Sequence, residues 1–430
     1  MSWTDGWYRL TLEDMTVPTT LAGRRLAVLT VLLGGFTAFG PLSMDLYLPA
    51  FPQLAADLGA SQAAVQLTLT ADVIGLVAGQ LVLGPLSDAR GRRGLLLAST
   101  LVCALASVLC ALAPSAGWLT VWRFLQGASG GGGIVLARAV AADVASGVAA
   151  ARLFSLFMTV SSVAPIAAPV LGGALLAATG SWRPMFWLLA AISLVLAVAT
   201  SRMIPETLPP ERRHTGGLRN TGRAFIDLAR DRVFAGYALT VAFAYASLFG
   251  YISGSPFALQ KVYSLSATQF SLVFALNAAG MIVLGLLNAR LVRRFPVRQL
   301  LLIGLVASTM AAVILVVLVA AGFGVLAVLA PLFLVVASRG LVSANATVLG
   351  VKRASAAGAA SAVLGACMFG GGILVSPLIA LGGEGTAIPM AAVVAGGAVA
   401  ALLATVLLTR GDHPEPVDAN AGVSAQPIKE

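Results

Sequence analysis

Gly84-Pro85-Leu86-Ser87-Asp88-Ala89-Arg90-Gly91-Arg92-Arg93 directly follows a long apolar run. A weaker copy, Gly285-Leu286-Leu287-Asn288-Ala289-Arg290-Leu291-Val292-Arg293-Arg294, follows another run at an offset of 201 residues, 84 to 285. A bilayer core takes about 20 apolar residues per helix. Working outward from the first segment, such runs fall near 26–48, 62–86, 95–114, 118–138, 153–178 and 184–204. They resume near 234–256, 270–290, 299–321, 323–345, 357–381 and 386–409. The two decapeptides follow the second and the eighth of these twelve runs. A duplicated half about a central polar loop is the layout of a two-bundle carrier whose site lies between the halves.

The sequence therefore predicts an all-α membrane protein of twelve transmembrane helices. Its parts are an N-terminal tail, 1–25, a six-helix bundle, 26–204, a central loop, 205–233, a second six-helix bundle, 234–409, and a polar tail, 410–430, whose Pro, Ala and acid content reads as disordered. Of the 430 residues, 59% are hydrophobic and only 10% charged. Soluble domains carry roughly 25% charged residues, so a soluble multidomain protein is excluded. The net charge of +10 comes from Arg clusters between apolar runs, which is a membrane-loop pattern rather than a nucleic-acid surface. Cys103, Cys110 and Cys367 sit in apolar runs without metal-ligand spacing, and His214 and His413 sit in polar segments. Gly130–Gly133 lacks the Lys-Ser/Thr of a phosphate loop. No metal, nucleotide or other cofactor is expected.

Orientation follows from Lys and Arg. With the N-terminus inside, seventeen of them fall in inner loops, among them Arg90, Arg92, Arg93, Arg138, Arg290 and Lys352, against Arg183 and Lys261 in outer loops. Both termini are expected in the cytoplasm. Arg24 and Arg25 before the first run resemble the start of a signal peptide, but Asp45-Leu46-Tyr47-Leu48-Pro49 is no small-residue cleavage site, so the helix is read as retained. The opening at Met15 reads as an alternative start.

Ionisable groups inside a bilayer are costly and are functional candidates by default. Of 17 acidic residues, only Asp45 and Asp72 lie clearly within apolar runs. At 1.5 Å per residue, Asp72 lies roughly 16 Å below the outer end of the second run, near the midplane. Asp45 is read near the outer end of the first run, and Arg123 roughly 8 Å inside the outer end of the fourth. Asp45 and Arg123 are expected to share an outer-half layer, with snorkelling of Arg123 to headgroups as the plain alternative. With no membrane histidine, carboxylates must carry any proton. The candidate proton-coupling residues are Asp45, Arg123 and Asp72.

In the loop after the second run, Gly84 and Gly91 allow a tight turn, and Asp88 stands among Arg90, Arg92 and Arg93. A charge network there is expected to lock one conformation and release another. Gly127, Gly131, Gly172 and Gly173 permit close helix approach, and Pro165 and Pro169 kink the fifth run. Tyr245, Tyr251 and Asn277 are candidate polar or aromatic contacts of an otherwise apolar cavity.

These segments together resemble the major facilitator superfamily, in its twelve-helix drug:proton antiporter group, and within that the Bcr/CflA branch of bicyclomycin and chloramphenicol exporters. The resemblance covers about 25–410. Leu83-Gly84-Pro85-Leu86-Ser87-Asp88 through Arg93 looks like the family's loop between helices two and three. Asp45 through Pro52 looks like its first-helix motif, and Arg123-Phe124-Leu125-Gln126-Gly127 like its fourth-helix proton-coupling motif. Ala168-Pro169-Val170-Leu171-Gly172-Gly173 is similar to the fifth-helix antiporter motif, with Ala168 where the general pattern has Gly. Trp182-Arg183, Pro205-Glu206-Thr207 and Ser255-Pro256-Phe257 also look like this branch. The resemblance implies Asp45 as the protonated, substrate-linked acid and Arg123 as its coupling partner. Asp72 belongs to no such motif.

The expected protein is thus a monomeric, multi-pass transporter of the bacterial inner membrane, exchanging protons for small drug-like molecules. Export of a natural metabolite, such as a sugar or amino-acid derivative, and a non-transporting sensor are the alternatives. An enzyme is disfavoured because no nucleophile or zinc constellation is present. Reporter fusions after residues 215 and 415 are both expected to report cytoplasm; a periplasmic signal at either one would break the topology.

Overall fold

The computed structural model describes residues 22–145, 147–213, 230–354, 357–380 and 385–410. The tails beyond these residues, most of the central loop and the alternative start at Met15 lie outside them. All described regular elements are helical. The first seven helices are α1 (Ala22–Asp45), α2 (Phe51–Asp57), α3 (Gln62–Arg90), α4 (Arg92–Ala111), α5 (Ala116–Val144), α6 (Gly147–Thr179) and α7 (Arg183–Met203). After the central loop come α8 (Arg232–Phe257), α9 (Ala267–Leu291), α10 (Val297–Ala320), α11 (Val325–Arg353), α12 (Ala357–Ile373), α13 (Val375–Ala380) and α14 (Ile388–Leu408).

A helix satisfies its backbone groups within one segment, which lipid demands. Among the described residues each apolar run coincides with helix, and ten segments are long and apolar enough to cross a membrane. The two exceptions have physical causes. The 29 residues of α5 suffice in length, but Arg123, Gln126 and four consecutive glycines dilute its apolar character. The 357–381 run breaks at Leu374, just before Pro377, which offers no backbone N–H to the preceding turn. The first run also differs from its sequence reading. It does not stop near residue 48: a 3₁₀ turn, Leu48–Ala50, leads into α2, and the span runs Leu29–Asp57. Asp45 therefore lies inside a broken span rather than near its outer end.

Side-chain caps mark the starts of α3, α5, α8 and α9. Ser61 accepts from the Ala64 N–H, Ser115 from Trp118, and Asp231 from Val233 and Phe234. Ser266 and Gln269 form a reciprocal capping box. Helices α1–α7 pack mainly on one another, as do α8–α14. The tightest seam joins α3 to α5. A Cβ on Gly75 or Gly79 would strike the Phe124 and Ala128 carbonyls, and one on Gly127 or Gly131 would strike those of Asp72 and Leu76. The two backbones are in contact through four glycines, and van der Waals contact of this kind drives helix association in lipid. In the second group a Cβ on Gly340 of α11 would strike the Met281 carbonyl of α9.

Among the described residues the two groups meet along α6 and α9 and where α3 meets α12 and α13, and one end is closely packed. There Phe51 packs on Phe257, with ring centroids 5.9 Å apart. Gln66 donates to the Ser253 carbonyl at 3.0 Å, and Gly173 abuts the Ser271 hydroxyl. Gly127→Ala and Gly75→Ala are each expected to cost about 1–3 kcal/mol by overpacking a backbone contact. Gly117→Ala, whose Cβ would meet only Ser115 at 3.9 Å, is the neutral control. Thermal unfolding in detergent checks this; wild-type midpoints in both seam variants would refute the seam.

Candidate functional site

The buried charges of the first helix group converge on Arg123. Its side chain is 0% exposed, so it does not snorkel to the surface. Nη2 lies 3.0 Å from Asp72 Oδ2 and donates to the Ser43 carbonyl at 2.9 Å. Nη1 donates to Gln126 Oε1 at 2.6 Å. The guanidinium carbon sits 4.5 Å from the Tyr47 ring centroid and 5.7 Å from that of Phe186, an arrangement that stabilises a desolvated cation. The Ser43 hydroxyl donates to Asp72 Oδ2 at 3.1 Å, and Gln126 donates onward to Ser107 at 2.7 Å. Arg123 thus lies at the level of Asp45, held by Ser43 and Tyr47 on either side of it, but its ion-pair partner is Asp72. The reason is the glycine seam, since Gly127, one turn from Arg123, packs on the backbone carbonyl of Asp72 itself.

Asp45 is the other acid. It is 5% exposed, and its Oδ1 accepts no hydrogen bond among the described residues. It ends α1 where Leu46-Tyr47 turns into a 3₁₀ segment with proline at its start, so the carboxylate is presented at a helix break. Asp45 lines a cavity of about 690 Å³ between the two helix groups. Tyr245, Tyr251, Phe274, Phe369 and Pro165 line it as well. Toward its other end the lining passes to Leu81, Arg138 and Ser361, all exposed. The mouth thus lies opposite the end where the helix groups touch, on the side of the Arg-rich loops.

The remaining candidates divide. Tyr245 and Tyr251 line the cavity, but Asn277 does not: it is buried and donates to the Tyr251 hydroxyl at 2.9 Å. Of the fifth-run motif, Pro165 lines the cavity, whereas Pro169, Gly172 and Gly173 do not. Gly172 abuts the Leu46 carbonyl, next to Asp45. At the mouth end, Arg92 is the hub of the charged loop. Its Nη1 pairs with Asp88 at 2.6 Å and its Nε with Asp143 at 3.2 Å, while Thr207 donates to the same Asp143 oxygen at 2.8 Å. Gly91 has φ +98° and no room for a Cβ, which would meet Glu206. Glu206 accepts from the backbone N–H groups of Arg92 and Arg93 at the start of α4. Partial burial raises the Glu206 carboxyl, but the N–H groups of Arg92, Leu208 and Arg93, with nearby Arg213, outweigh it and hold the group below its ordinary value. Arg90 is exposed and joins none of these pairs.

Sequence reasoning did not single out Ser43, Asp143 or Arg339. Arg339 of α11 is 5% exposed, and its Nε and Nη1 donate to none of the described residues. The signal for it was available, because Arg339, like Arg123, interrupts an apolar run.

Two groups of membrane-length helices around a central cavity, closed at one end and open at the other, define a multi-pass membrane transporter. The Major Facilitator Superfamily model matches residues 31–377, and the chain belongs to that family. The chain is 37% identical over 390 residues to the uncharacterized MFS-type transporter YdgK of Bacillus subtilis, covering 90% of this chain and 97% of that one. It is 30% identical over 380 residues to a bicyclomycin resistance protein homolog of Haemophilus influenzae, covering 88% and 95%. The fold matches the solved nucleoside transporter NupG with a TM-score of 0.72 at 13% identity, covering 88% of this chain and 99% of that one.

Removing one partner of a buried ion pair costs about 3–5 kcal/mol, because the other charge is stranded. Asp72→Asn is therefore expected to lower stability strongly, with partial recovery in Asp72→Asn/Arg123→Gln, whereas Asp45→Asn is expected to unfold with the wild type. Thermal unfolding of the purified variants separates the two acids. Equal loss in both single variants would mean that Asp45 is also structurally paired.

Proposed function

We propose that this transporter is a proton-coupled antiporter exporting small drug-like molecules across the bacterial inner membrane, with Asp45 as its proton carrier. One observation carries the reading: of the two acids in the apolar runs, Asp45 lines the cavity and forms no ion pair among the described residues, while Asp72 is paired with Arg123. The relatedness to a bicyclomycin resistance homolog supports the class of cargo. So does a cavity lined mostly by apolar and aromatic side chains, the usual character of a site for uncharged or amphipathic compounds.

Twelve spans, both termini cytoplasmic and two bundles, 26–204 and 234–409, complete the proposal for a monomer. The mouth beside Arg138 and Ser361 then faces the cytoplasm, and the substrate enters there. Rocking of the bundles closes that side and opens the other, where a proton from outside neutralises Asp45 and favours release. Arg123 acts as a positioning residue: by gripping the Ser43 carbonyl, two residues before Asp45, it ties the acid's backbone to α5. The Arg92 hub with Asp88, Asp143 and Glu206 braces the cytoplasmic end of the first bundle. A membrane potential supplies about 2.3 kcal/mol per charge per 100 mV, so one proton per neutral molecule sustains a substantial gradient.

Susceptibility profiling of an efflux-deficient bacterium expressing the chain selects the transported compound. In proteoliposomes with an imposed pH gradient, wild-type protein is expected to accumulate that compound uphill. Asp45→Asn is expected to reduce accumulation to the passive level, since Asn keeps the volume but cannot titrate. Uphill accumulation by Asp45→Asn would show that Asp45 is not the proton carrier.

A further inference from the structure

Arg339 is a buried charge whose Nε and Nη1 have no described acceptor, and it stands on the opposite helix group from Asp45. Its surroundings follow from the α11 wheel. Ala337 and Gly340 face α9, where Gly280 and Met281 meet them. Leu341 and Val342 face α10 at Gly304. Arg339 falls on the remaining face with Val336, one turn away, and Val336 lines the cavity. Tyr245 also lines it, and this tyrosine is an electrostatic neighbour of both Arg339 and Asp45. The two charges thus act on one cavity-lining phenol from opposite groups, Asp45 from the lining and Arg339 from behind it, yet form no ion pair with each other among the described residues. A buried guanidinium without an acceptor is among the costliest features of a membrane interior, and the described protein supplies no carboxylate for it. Arg123, of which only Nε lacks a described acceptor, meets an acid, a carbonyl, an amide and two aromatic faces.

We infer that the cavity binds a small dipolar solute, with an anionic group on Arg339, a cationic group on Asp45 and an apolar body between them along Tyr245. A neutral ligand leaves both protein charges unmet. A purely anionic one adds a negative charge beside Asp45, and a purely cationic one adds a positive charge beside Arg339. A ligand with both charges satisfies one residue from each helix group. Its cationic end competes with the proton for Asp45, which is the requirement of exchange.

The inference rests on the proposed use of this cavity for transport, and equilibrium binding tests it separately. Ciprofloxacin is a suitable probe: its ammonium and carboxylate sit at opposite ends of a fluorescent aromatic body. Its ethyl ester retains only the cation and its N-acetyl derivative only the anion. Fluorescence titration of purified protein in phospholipid-free detergent is expected to give at least tenfold tighter binding of ciprofloxacin than of either derivative. Arg339→Gln is expected to erase the preference over the ester, and Asp45→Asn the preference over the N-acetyl form. Arg339→Lys, which keeps the charge, is expected to retain a preference over the ester, and this guards against a folding defect in the Gln variant. Equal affinity of the three probes for the wild type would overturn the inference, as would an unchanged preference over the ester in Arg339→Gln. Displacement of ciprofloxacin by phosphatidylethanolamine, which carries the same two charges on a lipid, would assign the site to a headgroup and overturn it as well. Uphill export without any charge preference counts against the dipolar ligand alone, and charge preference without uphill export counts against proton coupling alone.

Discussion

The Asp72–Arg123 ion pair is the contact around which the first helix group is organised. Neither charge has access to water, and in lipid each is tolerable only with the other. The pair links α3 to α5 directly and α1 to both through Ser43, whose carbonyl and hydroxyl bind one partner each. It forms because the backbones of α3 and α5 touch: Gly127 lies against the carbonyl of Asp72, which brings a side chain one turn away into range of that carboxylate. Backbone contact and ion pair are therefore one device. The glycines set the distance, and the charges set the register.

Satisfaction at Arg123 makes its absence elsewhere informative. Both terminal nitrogens of Arg123 are bonded, leaving only its Nε and Asp72 Oδ1 without a described partner, whereas Asp45 and Arg339 form no ion pair among the described residues. Asp45 lines the space between the helix groups, and Arg339 lies one turn from Val336, which lines it too. Inside a group, polar side chains such as Asn277, Asn288 and Asn345 are hydrogen-bonded to one another or to tyrosine. Polar networks thus brace each group from within, while Asp45 stands at the cavity between them, the place expected of a carrier's site.

Charge is arranged differently at the mouth. Arg92 and Glu206 belong to short hydrogen bonds and ion pairs that join α3, α4, α5 and the segment after α7, all within the first helix group. The opposite ends of the groups are packed through Phe51, Gln66 and Gly173. The hub therefore holds one group together, and the contacts that close the cavity lie elsewhere.

Much of this was present in the sequence. Twelve apolar runs, the 84 to 285 repeat and the distribution of arginine dictate a helical membrane protein, because lipid allows few other solutions for a backbone. The scarcity of membrane charge also singled out Asp45, Asp72 and Arg123, since each costs enough to need a reason. Their partners were not legible. Arg123 was expected beside Asp45 because depth was counted along separate straight runs. The tertiary structure pairs it with Asp72 instead, and three facts of packing decide this: the first span breaks after Asp45 and continues to Asp57, Gly75 and Gly79 on α3 interlock with Gly127 and Gly131 on α5, and the two carboxylates consequently face different volumes. Asn277 was expected in the cavity for its polarity, but α9 turns it toward Tyr251. Composition and spacing are properties of one helix at a time and determine which residues enter the bilayer. Which of them meet depends on distances between helices, and those are set only when glycine surfaces come into contact.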